Sequence, residues 1–261
     1  MVCFAVPQVL SGMSQPFGHV DIYFDVRADS NSKDPDYASK TLKSFHKILW
    51  SKKLPNGQFL ELRDHGKSTY LSAEQDFVLH HLSSDTMCNS YGGKKRMSKV
   101  LENMEDEVFD FRKSVYTVGN FILFPGKKID GKWTINQERG VNQKISDRMD
   151  LTLECIRLYY LGLDSPLSDV LKRYKTFFDM FVNFEGYVDF FLLNDLVNDR
   201  FNRVMFFTEI DKPFLESGLP KSQIEYLIYK TNAVKFIQSR NSRIHNWVKQ
   251  NSNLNSNMNK S

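Results

Sequence analysis

Apolar side chains change their rhythm partway along this chain. Before about residue 135 they come in short runs broken by turn residues, and after Ser146 they recur at intervals of three and four. "HVDIYFDV", residues 19–26, alternates apolar and polar side chains as a half-buried strand does. Leu42, Phe45, Leu49 and Trp50 mark a helix over 39–50, which "LPNG" ends before a short strand in "QFLELR". "VYTVGNFILFPG" and "KKIDGKWTI" predict a hairpin over about 115–135, turning at Asp130-Gly131. Past the Gly92-Gly93 pair a helix is expected, and the later periodicity predicts helices over 147–161, 167–181, 184–197 and 221–249. These elements make an α+β fold, with a sheet-containing N-terminal half (19–135) packed on a mainly helical C-terminal half (146–249). We read 13–249 as one domain, Met13 as an alternative start, and the Asn- and Ser-rich 250–261 as a disordered tail.

Composition narrows the classes. At 261 residues, with 41% hydrophobic side chains and 21 Phe, the chain can bury a large core and does not read as disordered. Three widely spaced cysteines imply neither a disulfide framework nor a zinc site, and a reducing cytoplasm fits them. No apolar run approaches the roughly 20 residues of a membrane span. The net charge of +4 permits contact with RNA or DNA without demanding it.

Chemistry concentrates in "TINQERGVNQKISDRMDLTLECIRLYY", residues 134–160. On a helix starting near residue 147, Asp147, Asp150, Glu154 and Arg157 fall within an arc of about 80°. Leucines flank that stripe, whereas a solvated charged face would lie opposite the apolar one. Buried carboxylates must be paired, hydrogen-bonded, protonated or metal-bound. One expectation is therefore an oxygen site for Mg or Mn made by Asp147, Asp150 and Glu154, with Arg139 as a further catalytic residue and Arg148 on a phosphate. The plain alternative is an ion-pair network, with Ser146 or Asp147 capping the helix.

"FHKILWSKKLP", "YTVGNFILFPG", "TINQERG" and "ISDRMDLTLECIRLYYLG" resemble the signature blocks of a bacterial protein family of unknown function, over about residues 21–247. The resemblance implies a single cytoplasmic unit and no activity.

Weaker constellations lie elsewhere. Lys94, Lys95, Arg96 and Lys99 could bind phosphates, although a solvated basic turn explains them as well. Arg240 and His245, in "RNSRIH", resemble the R-N-x-x-x-H pair of HEPN-type ribonucleases, in which Arg holds phosphate and His moves protons; a basic helix end is the plain reading. His46 could be a general base or a core histidine. His80-His81 with "SSD" suggests a nucleophile and base, but no elbow motif accompanies it. The Phe-rich run 177–191 could stack bases and reads more simply as core. Three functions stay open: a cytoplasmic metal-dependent nuclease or phosphodiesterase, a metal-independent HEPN-like ribonuclease, and a non-catalytic binding or regulatory protein whose charge network is structural.

Overall fold

A computed structural model describes residues 20–64 and 71–258, with the backbone alone for 251–258. Expectations about Met13 and the first twelve residues fall outside it. The fold is α+β: an antiparallel sheet from the first half of the chain, and mostly helices in the second.

The sheet runs in the order β1 (Arg63–Asp64), β2 (Leu71–Gln75), β3 (Val78–Thr86), β4 (Phe121–Pro125). β2 and β3 form a hairpin through Asp76 and Phe77, both left-handed at φ 48° and 65°. β3 then pairs with β4, Asp85 opposite Ile122 and Ser84 opposite Leu123. All five residues of β4 are buried. The sheet's central hairpin thus comes from a segment whose polar residues hide its strand pattern. Residues 115–135 do not form the expected hairpin: β4 takes β3 as its partner, and Asp130-Gly131 is only a turn. Residues 20–26 are turns, although Val20, Ile22 and Val26 are buried; their alternation records burial without a ladder partner. "QFLELR" contributes to strand only at Arg63.

Helices follow their sequence signals more closely. α1 (Pro35–Ala38) packs on β3, and Ser39 caps α2 (Lys40–Trp50) by accepting the Leu42 N–H at 3.1 Å. The region after the glycines holds a 3₁₀ turn, 95–97, and then α3 (Glu105–Val115). α4 (Ile135–Val141) opens with a capping box in which Thr134 and Gln137 satisfy each other's backbone N–H. α5 (Met149–Tyr160), α6 (Ser168–Arg173), α7 (Lys175–Asp179), α8 (Phe184–Phe191) and α9 (Gln223–Met258) complete the chain. α9 carries on past residue 250, where disorder was expected, because extending a formed helix needs only one more hydrogen bond per residue fixed.

The core centres on Trp50, whose ring lies 5.2–6.3 Å from those of Phe177, Phe181, Phe190 and Phe191. The Phe-rich run is therefore core, as its spacing indicated. Truncating Trp50 to Ala should cost about 3–5 kcal/mol. Residues 149–156 of α5 are all buried, so its charged side chains sit in the same interior as its leucines.

Candidate functional site

The capping box fixes the start of α4 and turns Arg139 inward, where it is fully buried. Its Nη1 donates to Asp85 Oδ2 at 2.6 Å, its Nε to Thr152 Oγ1 at 2.9 Å, and its cation lies 5.4 Å from the Phe124 ring centre. Asp85 comes from β3, and α1 packs against that strand with Asp36. The third acid arrives by an unusual backbone. Ser146 and Asp147 are both left-handed, at φ 52° and 64°, and the Asp147 N–H donates to the Arg139 carbonyl at 3.0 Å. This places Asp147 Oδ1 3.8 Å from Arg139 Nη2, while Oδ2 accepts from Asn89 Nδ2 at 3.3 Å. Holding successive non-glycine residues there costs on the order of 1–3 kcal/mol each, so the surrounding structure enforces the position of Asp147.

Asp85 and Asp147 keep 19% and 17% of their side-chain surface exposed, and this cluster opens to solvent where Arg139 does not. Its electrostatics are crowded. Burial, then the charges of Asp34 and Asp147, push the Asp36 carboxyl up to about 7. Burial and Asp147 raise Asp85 well above the usual carboxylate range, against the pull of Arg139 and with a further push from Asp36. Burial lowers Lys94, while Asp147 works to keep it charged. Three acids thus share two bases, and burial with mutual repulsion favours the protonated form of Asp36 and Asp85.

The next charges close on themselves. Arg148 meets Asp150 side-on through two bonds, Nε to Oδ1 at 3.0 Å and Nη2 to Oδ2 at 2.5 Å, with both residues fully buried. Asp150 also accepts the Phe207 N–H at 2.8 Å, and Arg148 Nη1 donates to Thr208 Oγ1 and the Gly218 carbonyl. Burial works against the charge on Arg148, but the charge and hydrogen bonds of Asp150 more than offset it and raise the pKa. Glu154 takes two bonds from Arg157, at 2.7 and 2.8 Å. The structure therefore separates the three carboxylates expected to share one metal: Asp147 joins the Arg139 cluster, and Asp150 and Glu154 have their own guanidiniums. Among the described residues no group of three or more His, Cys, Asp or Glu is placed to hold a metal ion. Arg148 is likewise committed to Asp150 and not presented to a phosphate. The helix cap differs too, since Arg148 occupies that position and makes no side-chain cap.

Arg240 and His245 do not meet. Five residues on a helix turn them about 140° apart; Arg240 is fully buried and His245 exposed. The Arg-Asn half of that motif is a clamp on the 117–121 segment. Arg240 Nη1 donates to the Gly119 and Phe121 carbonyls, and Asn241 accepts the Gly119 N–H at 2.7 Å while donating to Thr117 Oγ1. Gly119 permits this approach: a Cβ there would lie 2.5 Å from Asn241 Oδ1 and 2.7 Å from the Ile237 carbonyl oxygen. Lys95, Arg96 and Lys99 are exposed, whereas Lys94 is half-buried beside Tyr91 and within reach of Asp147's charge. His46 is buried, bonds Ser84 Oγ at 3.1 Å, and is held neutral by burial and Arg240, which lower it to about 3. That is a core histidine.

Of the residues in this cluster, the sequence singles out Arg139 and Asp147 as candidates and does not single out Asp36 or tie Asp85 to them. Asp85 stood in the noted "SSD", but nothing local tied it to Arg139; Asp36 stood in "KDPDY", which reads as a break.

The chain matches a family of unknown function, DUF6994, over residues 20–244, and belongs to that family. No curated protein and no solved structure matches it.

Proposed function

We propose that this chain is a binding or regulatory protein whose 139–157 charges are a structural network. The observation that carries this reading is the pairwise closure of the network: Arg148 with Asp150 and Arg157 with Glu154 satisfy each other inside the protein, leaving no free carboxylate on α5 for a substrate or cation. The same network shapes a surface cleft of about 980 Å³ whose walls include Val141, Gln143, Pro166, Phe214, Leu215 and Ser217. Arg148 holds the Gly218 carbonyl at 3.0 Å, and the Gly218 N–H holds the Gln143 carbonyl at 2.8 Å, so the two walls are tied to the buried ion pair. Apolar side chains beside amides and hydroxyls, with Lys144, Asp164 and Glu216 also on the walls of a shallow cleft, suit a protein segment of mixed character better than a small metabolite. The test compares thermal melts with and without millimolar Mg²⁺ or Mn²⁺, and assays RNA and single-stranded DNA for cleavage. Unchanged melting and no cleavage are expected. A metal-dependent rise in Tm, or cleavage lost in Asp147→Asn, overturns the reading.

One observation favours a second reading, an enzyme that moves protons at the Asp36–Asp85–Asp147 cluster. A largely buried carboxyl pushed up to about 7 by burial and by neighbouring acids is suited to general acid–base work. Turnover of any substrate that Asp36→Asn abolishes without lowering Tm would establish it over the first.

A further inference from the structure

Arg240 sits in the interior without the partner every other fully buried arginine has. Arg139 lies against Asp85 and Arg148 against Asp150; among the described residues no carboxylate reaches Arg240. Its Nε donates to the Phe191 carbonyl at 2.9 Å, its Nη1 to those of Gly119 and Phe121, and its Nη2 has no acceptor. Carbonyl dipoles soften the charge, but a second cation lies near: Lys52 donates to the Asp189 and Phe190 carbonyls, and burial, then the Arg240 charge, lower its pKa against the pull of the Asp189 carboxylate. Lys52 has Asp189 to answer it, whereas the fully buried Arg240 has no carboxylate among the described residues, and an uncompensated buried ion costs several kcal/mol.

Two more buried polar groups lack partners close by. The Tyr187 hydroxyl and the Trp50 indole N–H are both fully buried and unbonded. The three side chains are grouped around Phe191: the Tyr187 ring lies tilted against it at 4.8 Å, the Trp50 ring edge-on at 5.9 Å, and Arg240 holds its carbonyl. Arg240 and Tyr187 lie close enough for each charge to shift the other's titration. Both the arginine N–H and the indole N–H can only donate, and the phenol can donate. A set of unused donors around a cation calls for an acceptor bearing negative charge.

We propose that Arg240 Nη2 and the Tyr187 hydroxyl bind a small monovalent anion inside the protein, with the Trp50 N–H as an additional donor. The anion neutralises Arg240 as Asp150 neutralises Arg148, and ties α2, α8 and α9 together at one point. Water could satisfy the donors but would leave the charge unmatched. The rings of Phe191 and Trp50 lie beside these donors, so a compact anion that sheds its water, a halide, is the probe.

The experiment follows Tm at constant ionic strength while sodium gluconate, whose anion is too large to enter, is replaced by sodium bromide. Wild type should gain several degrees, rising with the logarithm of bromide concentration. Tyr187→Phe keeps the ring and removes one donor, and its gain should fall by half or more. Crystals of wild type soaked in bromide should show an anomalous peak within hydrogen-bonding distance of Arg240 Nη2 and the Tyr187 hydroxyl, a readout independent of any variant's stability. Equal gains in wild type and Tyr187→Phe, or no peak at that place, overturn the proposal and leave water as the occupant.

Discussion

Arg139 and Arg240 are both fully buried guanidiniums, and the protein treats them in opposite ways. Around Arg139 gather Asp85 and Asp147, with Asp36 near enough to press on both. Around Arg240, among the described residues, its hydrogen bonds go to backbone carbonyls and no carboxylate pairs with it, while Lys52 and the neutral His46 lie within reach of its charge. One site has more negative charge than its cation needs and opens to solvent; the other has none and is sealed. A buried cation fixes the backbone by its hydrogen bonds in either case, but its charge must be answered separately. At Arg139 the surplus raises the pKa of Asp36 and Asp85, and at Arg240 we place a bound anion.

The largest effect should come from a site where charge is balanced. Asp150→Ala orphans Arg148 in the interior and should cost about 3–5 kcal/mol in urea melts. The double change Arg148→Met with Asp150→Leu should restore much of that loss, because an apolar pair needs no counter-charge. If the double variant is no better than the single one, the pair's hydrogen bonds to Phe207, Thr208 and Gly218 matter more than its charge.

Arg240→Met should cost less than Asp150→Ala, about 1–3 kcal/mol, since it orphans neutral carbonyls and no ion. It should also abolish the bromide dependence of Tm. An equal or larger loss than Asp150→Ala would break the contrast between the two kinds of buried arginine.

A pH series sharpens the other half. The folded pKa of Asp36, about 7, lies above its ordinary 3.8, so Asp36 favours the fold fully below the unfolded value and progressively less as pH rises through about 7. Wild-type Tm should decline across that window, and Asp36→Asn, always neutral, should flatten the decline. An identical pH profile in the variant would show that Asp36 is well solvated and outside the cluster.

The smallest effect is expected at the surface. Replacing Lys95, Arg96 and Lys99 with Gln should change stability by less than about 0.5 kcal/mol, since their side chains are exposed. Any polyanion binding should be weak, and its salt slope should fall by at most about 3 in this variant.

The helix beginning at Ser39, the longer C-terminal helices and the aromatic core were legible from local periodicity, because such spacing acts within a few residues. The Thr134 cap and its helix were not, since the expected hairpin absorbed them, and the cap expected at Ser146 or Asp147 fell instead at Arg148. That the charges on α5 are buried was legible too, from leucines flanking the stripe. Which partner each charge takes was not. Arg139 reaches back to Asp85 across the sheet, and Asp147 leaves the helix face altogether because residues 146–147 turn left-handed and α5 starts later, at Met149. Strand pairing escaped for the same reason: β4 has a clear β composition, but its neighbour β3 is polar enough to hide, so the sequence pattern alone offered 127–135 as a nearer partner. Periodicity determines which face of an element is buried, since that depends on the residue's own neighbours. Tertiary structure decides what each buried charge meets, since that depends on backbone placed close by residues tens of positions away.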